Sequence, residues 1–175
     1  MADQTAALFA ANERRLFKYF CRAVGDAETA RDLTQDVFVR VTRAAVPGGS
    51  DGDVRPWLFR VARNLALDHH REHMRRPARS ELTDEPARSP SQDVDLEVNE
   101  ALAALADLDR DVFLMREVAG LGYGEIAQAC GLTPDAVRSR IHRARLQLRA
   151  GLASPIATRR TIPLRHSGRP RETEP

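Results

Sequence analysis

Apolar residues along this chain return every three or four positions, and no segment keeps the every-second-residue alternation of a strand, so the pattern predicts helices throughout. Leu8, Ala11, Leu16, Phe17, Phe20 and Val24 predict a first helix over residues 4–23, ending before Gly25. Asp26 suits the N-cap of a second helix that turns Leu33, Val37 and Val41 to one face. That helix should end by Val46-Pro47, because the residue before a proline avoids helical angles, and residues 47–52 (PGGSDG) should form a loop. A third helix is expected from near Pro56 to Met74, with Trp57, Leu58, Val61, Ala62 and Leu65 facing a core. Val94, Val98, Ala101, Leu102 and Leu105 predict a fourth, and Asp109 is placed to cap a fifth holding Val112, Phe113 and Ala119.

The stretch from Tyr123 to Gly151 carries the densest signal. A short helix from Tyr123 to Ala129 should lead through a turn at Cys130-Gly131-Leu132 into a longer helix from Pro134 to Ala150. Thr133 can cap it, Pro134 fits its first position and Gly151 can close it in the left-handed C′ conformation. Val137, Ile141, Ala144 and Leu148 form one apolar stripe, leaving Arg138, Ser139, His142, Arg143, Arg145 and Arg149 on the rest of the cylinder. A short helix, a glycine turn and a helix apolar on one side and arginine-rich on the other have the make-up of a helix-turn-helix, where an isolated helix of this kind could be an ordinary amphipathic one with a solvated basic face. The planar guanidinium fork matches phosphate and the guanine edge.

The third predicted helix has a comparable make-up, with Arg60, Arg63, Asn64, Asp68 and Arg71 outside its apolar stripe. Between the two basic helices, residues 77–94 mix Pro77, Pro86 and Pro90 with serines and acids and few large apolar groups, as expected of an interdomain linker. Extended at ~3.1 Å per residue, such a linker could reach on the order of 50 Å. The fold class expected is therefore all-α: a small helical domain over residues 1–76, the flexible linker over 77–94, a helix-turn-helix domain over 95–151, and a disordered basic tail over 152–175.

Charge sharpens this picture without changing it. With 27 basic and 25 acidic residues the net charge is only +2, so any nucleic-acid surface must be local. Cys21 and Cys130 stand far apart with no C-x-x-C partner, which indicates neither a disulfide framework nor a zinc site. His69 and His73 share a helix face, but no H-E-x-x-H or third ligand accompanies them, and no metal is expected. There is no nucleophile elbow, P-loop or G-x-G-x-x-G, so no catalytic residue and no cofactor is expected. The opening residues have no leader character and no stretch is apolar enough to span a bilayer, which suggests a cytoplasmic protein. A dimeric activator of the response-regulator type could carry the same C-terminal helix-turn-helix. That alternative needs a receiver domain, and residues 1–76 show no βα alternation to build one.

Four segments together resemble the extracytoplasmic-function group of bacterial sigma factors, in the sigma-70 family. Residues 26–38 (DAETARDLTQDVF) are similar to the family's region 2.2, and residues 55–68 (RPWLFRVARNLALD) to regions 2.3 and 2.4. Residues 121–127 (LGYGEIA) and 137–145 (VRSRIHRAR) are similar to region 4. The resemblance implies a region 2 bundle of three to four helices and a region 4 helix-turn-helix, in a factor that binds core RNA polymerase and directs initiation at promoter DNA. By that resemblance Leu33, Gln35, Asp36 and Phe38 would dock on the polymerase clamp. Arg60, Arg63, Asn64, Asp68 and Arg71 would meet the minus-ten element, and Arg116, Arg138, Ser139, His142 and Arg143 the minus-thirty-five element. It also implies an anti-sigma partner and a monomeric free state. The chain departs from the family pattern at Asp135-Ala136, where many members have Gly-Thr, and at Ala106, where proline is usual.

Overall fold

A computed structural model describes residues 2–43, 51–75 and 90–153, and every described element is a helix. The helices are α1 (Ala2–Val24), α2 (Ala27–Arg43), α3 (Asp51–Arg75), α4 (Pro90–Ala103), α5 (Asp107–Glu117), α6 (Tyr123–Cys130) and α7 (Pro134–Ala153). Helices α1 to α3 pack into one bundle, and α4, α5 and α6 each lie against α7 or its neighbours in a second. The end of α2 near Val46, most of the 77–94 linker and the tail lie outside the described residues.

Local chemistry explains the boundaries. Gly25 takes a φ of +78° after α1, which a Cβ would resist, and Asp26 then accepts the Thr29 N–H at 2.7 Å to start α2. The Thr29 side chain and N–H together hold the Asp26 carboxyl below its usual range. Helix α3 begins at Asp51, earlier than the sequence pattern predicts, and Pro56 lies inside it. Pro56 is its sixth residue, in the second turn, where the ring removes one backbone hydrogen bond that α3 would otherwise make. Helix α4 likewise begins at Pro90, so the end of the expected linker is helical.

Two other expectations need correction. Asp109 does not cap α5. The cap position is Ala106, without a side-chain cap bond, and Asp109 is buried inside the helix, where it meets arginines of α7. Gly151 does not stop α7, which runs on to Ala153. A Cβ at Gly151 would come within 3.9 Å of the Ala101 methyl, so this position lies close against α4. Ala106 holds a φ of −59°, the angle a proline ring enforces. Ala106→Pro should therefore stabilise the fold by about 0.4–1 kcal/mol by restricting the unfolded chain, as a rise in the urea midpoint.

The core differs from the predicted stripes mainly in α1 and α3. Tyr19, Phe20 and Phe59 are fully buried, with the Tyr19 ring edge-on to Phe20 at 5.5 Å and to Phe59 at 5.7 Å, whereas Trp57 and Val61 are only partly covered and Ala11 is exposed. Leu58, Phe59, Ala62, Leu65 and Ala66 of α3 are all buried, a wider arc than one stripe. The reason is that α3 has neighbours on two sides: α1 and α2 within its own bundle, and α6 of the other. The apolar core is continuous from Leu16 and Phe20 through to Ile126, Val137 and Ile141. The two helical bodies, expected to be loosely tethered, are packed together.

Candidate nucleic-acid interface

The helix-turn-helix is built by three local devices. Glu125 reaches back to accept the Gly122 N–H at 2.6 Å and so starts α6. Gly131 ends α6 at φ +67°, and the Leu132 N–H closes onto the Ala127 carbonyl at 2.9 Å. Thr133 Oγ1 then accepts the Ala136 N–H at 3.2 Å and opens α7. Val137, Ile141 and Ala144 bury the inner face of α7, with Leu148 partly covered, as the spacing predicts. Arg138, Ser139, His142 and Arg143 are all exposed on its outer face.

Several of these arginines are held by acids, which the sequence pattern did not indicate. Asp109, with its side chain 7% exposed, accepts from Arg140 at 2.6 Å and pairs with Arg143 at 3.3 Å. Arg145 pairs with Glu117 at 2.6 Å, and that carboxylate raises the guanidinium's affinity for its proton. Asp135 of the departing Asp135-Ala136 pair lies 2.6 Å from Arg138, so its charge is spent locally, and the Arg138 guanidinium also lies over the Tyr123 ring. Arg143 nevertheless keeps 57% of its side chain in solvent, enough for its free edge to meet a phosphate or base. Arg116 is placed differently from the other four. It donates to the Leu121 carbonyl at 2.8 Å and stacks on Tyr123 at 4.8 Å, bracing the turn between α5 and α6.

The second basic surface lies on α3. Arg60, Asn64, Asp68 and Arg71 are exposed at spacings of four, four and three, which puts them on one side of the helix, and Asp68 faces Arg71 at 3.8 Å. Arg63 sits at the edge of this stripe and turns towards α5. Its Nε donates to Asp111 Oδ2 at 2.8 Å, and Asp111 is almost fully buried. The Tyr19 hydroxyl lies 3.5 Å from the other oxygen. Burial pushes the Asp111 carboxyl above its usual range, with Arg63 drawing it only partly back, and burial likewise pushes the Tyr19 phenol up.

Of the residues assigned to polymerase contact, Gln35 and Asp36 are exposed on α2, but Leu33 and Phe38 are 8% and 6% exposed and belong to the core. Leu33 and Phe38 thus lie beneath the surface of α2 on which Gln35 and Asp36 stand. His69 and His73 stack at 6.3 Å, and no group of three or more potential metal ligands occurs among the described residues. No helix among them is long and apolar enough to cross a membrane.

Comparison with known proteins agrees with this architecture. Residues 8–76 match the family model of Sigma-70 region 2, and residues 95–148 that of Sigma-70, region 4. The chain is 33% identical over 132 residues to the ECF RNA polymerase sigma factor SigC of Mycobacterium tuberculosis, covering 72% of this chain and 71% of that protein. It is 28% identical over 160 residues to the RNA polymerase sigma factor YlaC of Bacillus subtilis, covering 86% and 92%. It is 35% identical over 149 residues to the ECF sigma factor SigE of Mycolicibacterium smegmatis, covering 79% of this chain but spanning only 58% of the length of that relative. Among solved structures, CnrH in complex with the cytosolic domain of CnrY superposes with a TM-score of 0.68 at 27% identity, over 87% of this chain and 89% of that one. With both regions matched in order along an all-helical fold, the chain belongs to the sigma-70 family of RNA polymerase sigma factors, among its extracytoplasmic-function members.

Proposed function

We propose that this sigma factor works through three surfaces: Gln35 and Asp36 on α2 for core RNA polymerase, the α3 stripe for the minus-ten element, and the outer face of α7 for the minus-thirty-five element. The observation that carries the reading is that two helices, one in each matched region, are apolar inward and present arginines outward. Arg60 and Arg71 suit phosphates, while the Asn64 amide offers a donor and an acceptor to an unstacked base. Arg138, Ser139, His142 and Arg143 suit base edges in the major groove. Arg116, spent on the Leu121 carbonyl, supports that reader from behind. The domains divide at residues 1–76 and 95–151, and the segment 77–94 joins them.

The chain acts without catalysis of its own, as a cytoplasmic monomer, the chemistry staying in the polymerase. An anti-sigma partner is proposed by analogy with CnrH, whose structure is a complex with CnrY. The test is to add the protein to core polymerase with genomic fragments and map transcript starts. New, defined starts are expected, and a chain that yields none and does not co-purify with core polymerase would refute the reading. Arg143→Ala should reduce use of those starts about tenfold, one good base contact's worth, and relax selectivity at one or two upstream positions.

A further inference from the structure

An acid stands in the first turn of α7, at the end of the helix that reaches base edges when a helix-turn-helix enters the major groove. Arg138, Ser139 and His142 follow Asp135 at spacings of three, four and seven, and all four are exposed, so they share one face. A lone carboxylate on that face would meet the charge of the phosphates and weaken binding. Asp135 is not alone. Its Oδ1 accepts from Arg138 Nη1 at 2.6 Å, so the two side chains meet a duplex as a neutral pair. Their side chains stay 88% and 62% exposed, and a surface pair of this kind adds little to folding stability. What it does fix is the direction of the guanidinium. The Tyr123 ring contributes to the same end, because Arg138 lies over it at 5.4 Å. That ring also carries Arg116 at 4.8 Å, which is itself tied to the Leu121 carbonyl at 2.8 Å. Arg140 and Arg143 share a different acid, Asp109, so the first turn of the reader is oriented independently of the turns that follow.

We propose that Asp135 determines specificity, forming one reading unit with Arg138: the arginine takes O6 and N7 of a guanine, and the carboxylate accepts from the N4 amino group of a cytosine in the adjoining base pair. The proposal rests on the minus-thirty-five assignment of α7. Guanine offers two acceptors to the guanidinium fork, whereas cytosine offers its amino donor to a carboxylate that can only accept. The spacing fits as well. Base pairs rise about 3.4 Å along the duplex, close to the 2.6 Å between the two charged groups, so a guanidinium level with one pair leaves the carboxylate at the next. Guanine or thymine at the second position would set a carbonyl oxygen against the carboxylate, two acceptors with no proton between them, and would be rejected rather than merely unrewarded. The pair falls where this chain departs from the family pattern, so the cytosine preference is not one that the family supplies.

The test uses promoter fragments built from a mapped start, randomised across the upstream element and barcoded in the transcribed part. They are transcribed by core polymerase with the full chain, and the barcodes are counted. The wild-type protein should favour a guanine and an adjoining cytosine, each about tenfold over the disfavoured bases. Asp135→Ala should remove the cytosine preference and weaken the guanine preference several-fold, while positions that respond to Arg143→Ala keep theirs. Asp135→Asn should move the preference at the cytosine position to adenine, whose N6 and N7 suit an amide. An acid with a purely structural role could not produce that move. If Asp135→Ala leaves every upstream preference as it is in the wild type, or Asp135→Asn moves none, the proposal is overturned. Arg143→Ala in the same assay tells this failure from a wider one. If it still relaxes an upstream position, the assignment of α7 stands and only the Asp135 unit falls; if neither variant alters any upstream preference, that assignment falls with it.

Discussion

Phe59→Ala should lower the free energy of unfolding by about 3–5 kcal/mol, whereas Trp57→Ala, two residues away, should cost less. Phe59 is fully buried, and its ring meets Tyr19 edge-on, so truncation leaves a cavity among rigid neighbours. Trp57 is larger but only partly covered, and part of the area it loses is already wet. Urea titration of both variants checks this, with the midpoint falling further for Phe59→Ala. A larger loss from Trp57 would place the tryptophan at the centre of the bundle and contradict the packing of α3 between its neighbours. The same residue separates stability from function, because Phe59 is fully buried and its ring cannot itself meet DNA. Polymerase-dependent transcription by surviving folded protein should stay near normal at low temperature.

The ranking of these two aromatics could not be read from spacing alone. Periodicity finds a helix's inner stripe when there is one partner surface, and it did so for α2 and α7, where Leu33, Val37 and Val41, and Val137, Ile141 and Ala144, are buried as expected. It underestimated α3 because a helix with neighbours on two sides buries more than one stripe, and the second neighbour, α6, is nearly seventy residues further along the chain. Turn chemistry was legible wherever one residue type has one use. Asp26, Gly131, Thr133 and Pro134 all sit where their backbone or side-chain preferences place them. The signal failed where a residue has two uses. Asp109 could cap a helix or neutralise arginines, and Gly151 could end a helix or let another approach it. In both cases packing against another helix decided.

The candidate interface divides in the same way. That α7 would turn its arginines outward followed from the apolar stripe, and the exposed Arg138, Ser139, His142 and Arg143 agree. What no stripe reveals is which arginines are already engaged. Asp109, Asp111, Glu117 and Glu125 come from segments that look merely polar, yet each meets an arginine of a different helix. A net charge of +2 hides this arrangement, because acids that balance the total also fix where individual cations stand. The cue available beforehand was the compact Asp109-Arg110-Asp111 run in an otherwise amphipathic helix. Three consecutive charges span about 200° of a helix, so in a helix covered on two sides, as α5 is by α7 and α6, such a run places at least one charge against a neighbour.

Asp109→Ala should cost about 2–3 kcal/mol in unfolding free energy and, separately, loosen promoter selectivity. The first effect follows from breaking a largely buried pair, which costs about 3–5 kcal/mol when the orphaned charge stays buried. It is reduced here because the Arg140 and Arg143 side chains are 28% and 57% exposed and can turn to water. The second effect follows from orientation. One carboxylate fixes two guanidiniums one turn apart on α7, and without it both forks lose the register that lets Arg143 address a single base edge. Transcription from a mapped start should then fall less for promoters mutated upstream than it does with the wild-type protein. Combining Asp109→Ala with Arg143→Ala decides whether the acid acts through that arginine. If it does, the double variant should be no less selective than Arg143→Ala alone, although it is less stable. Fully additive losses of selectivity would instead assign Asp109's influence to Arg140 or to the tilt of α7 as a whole.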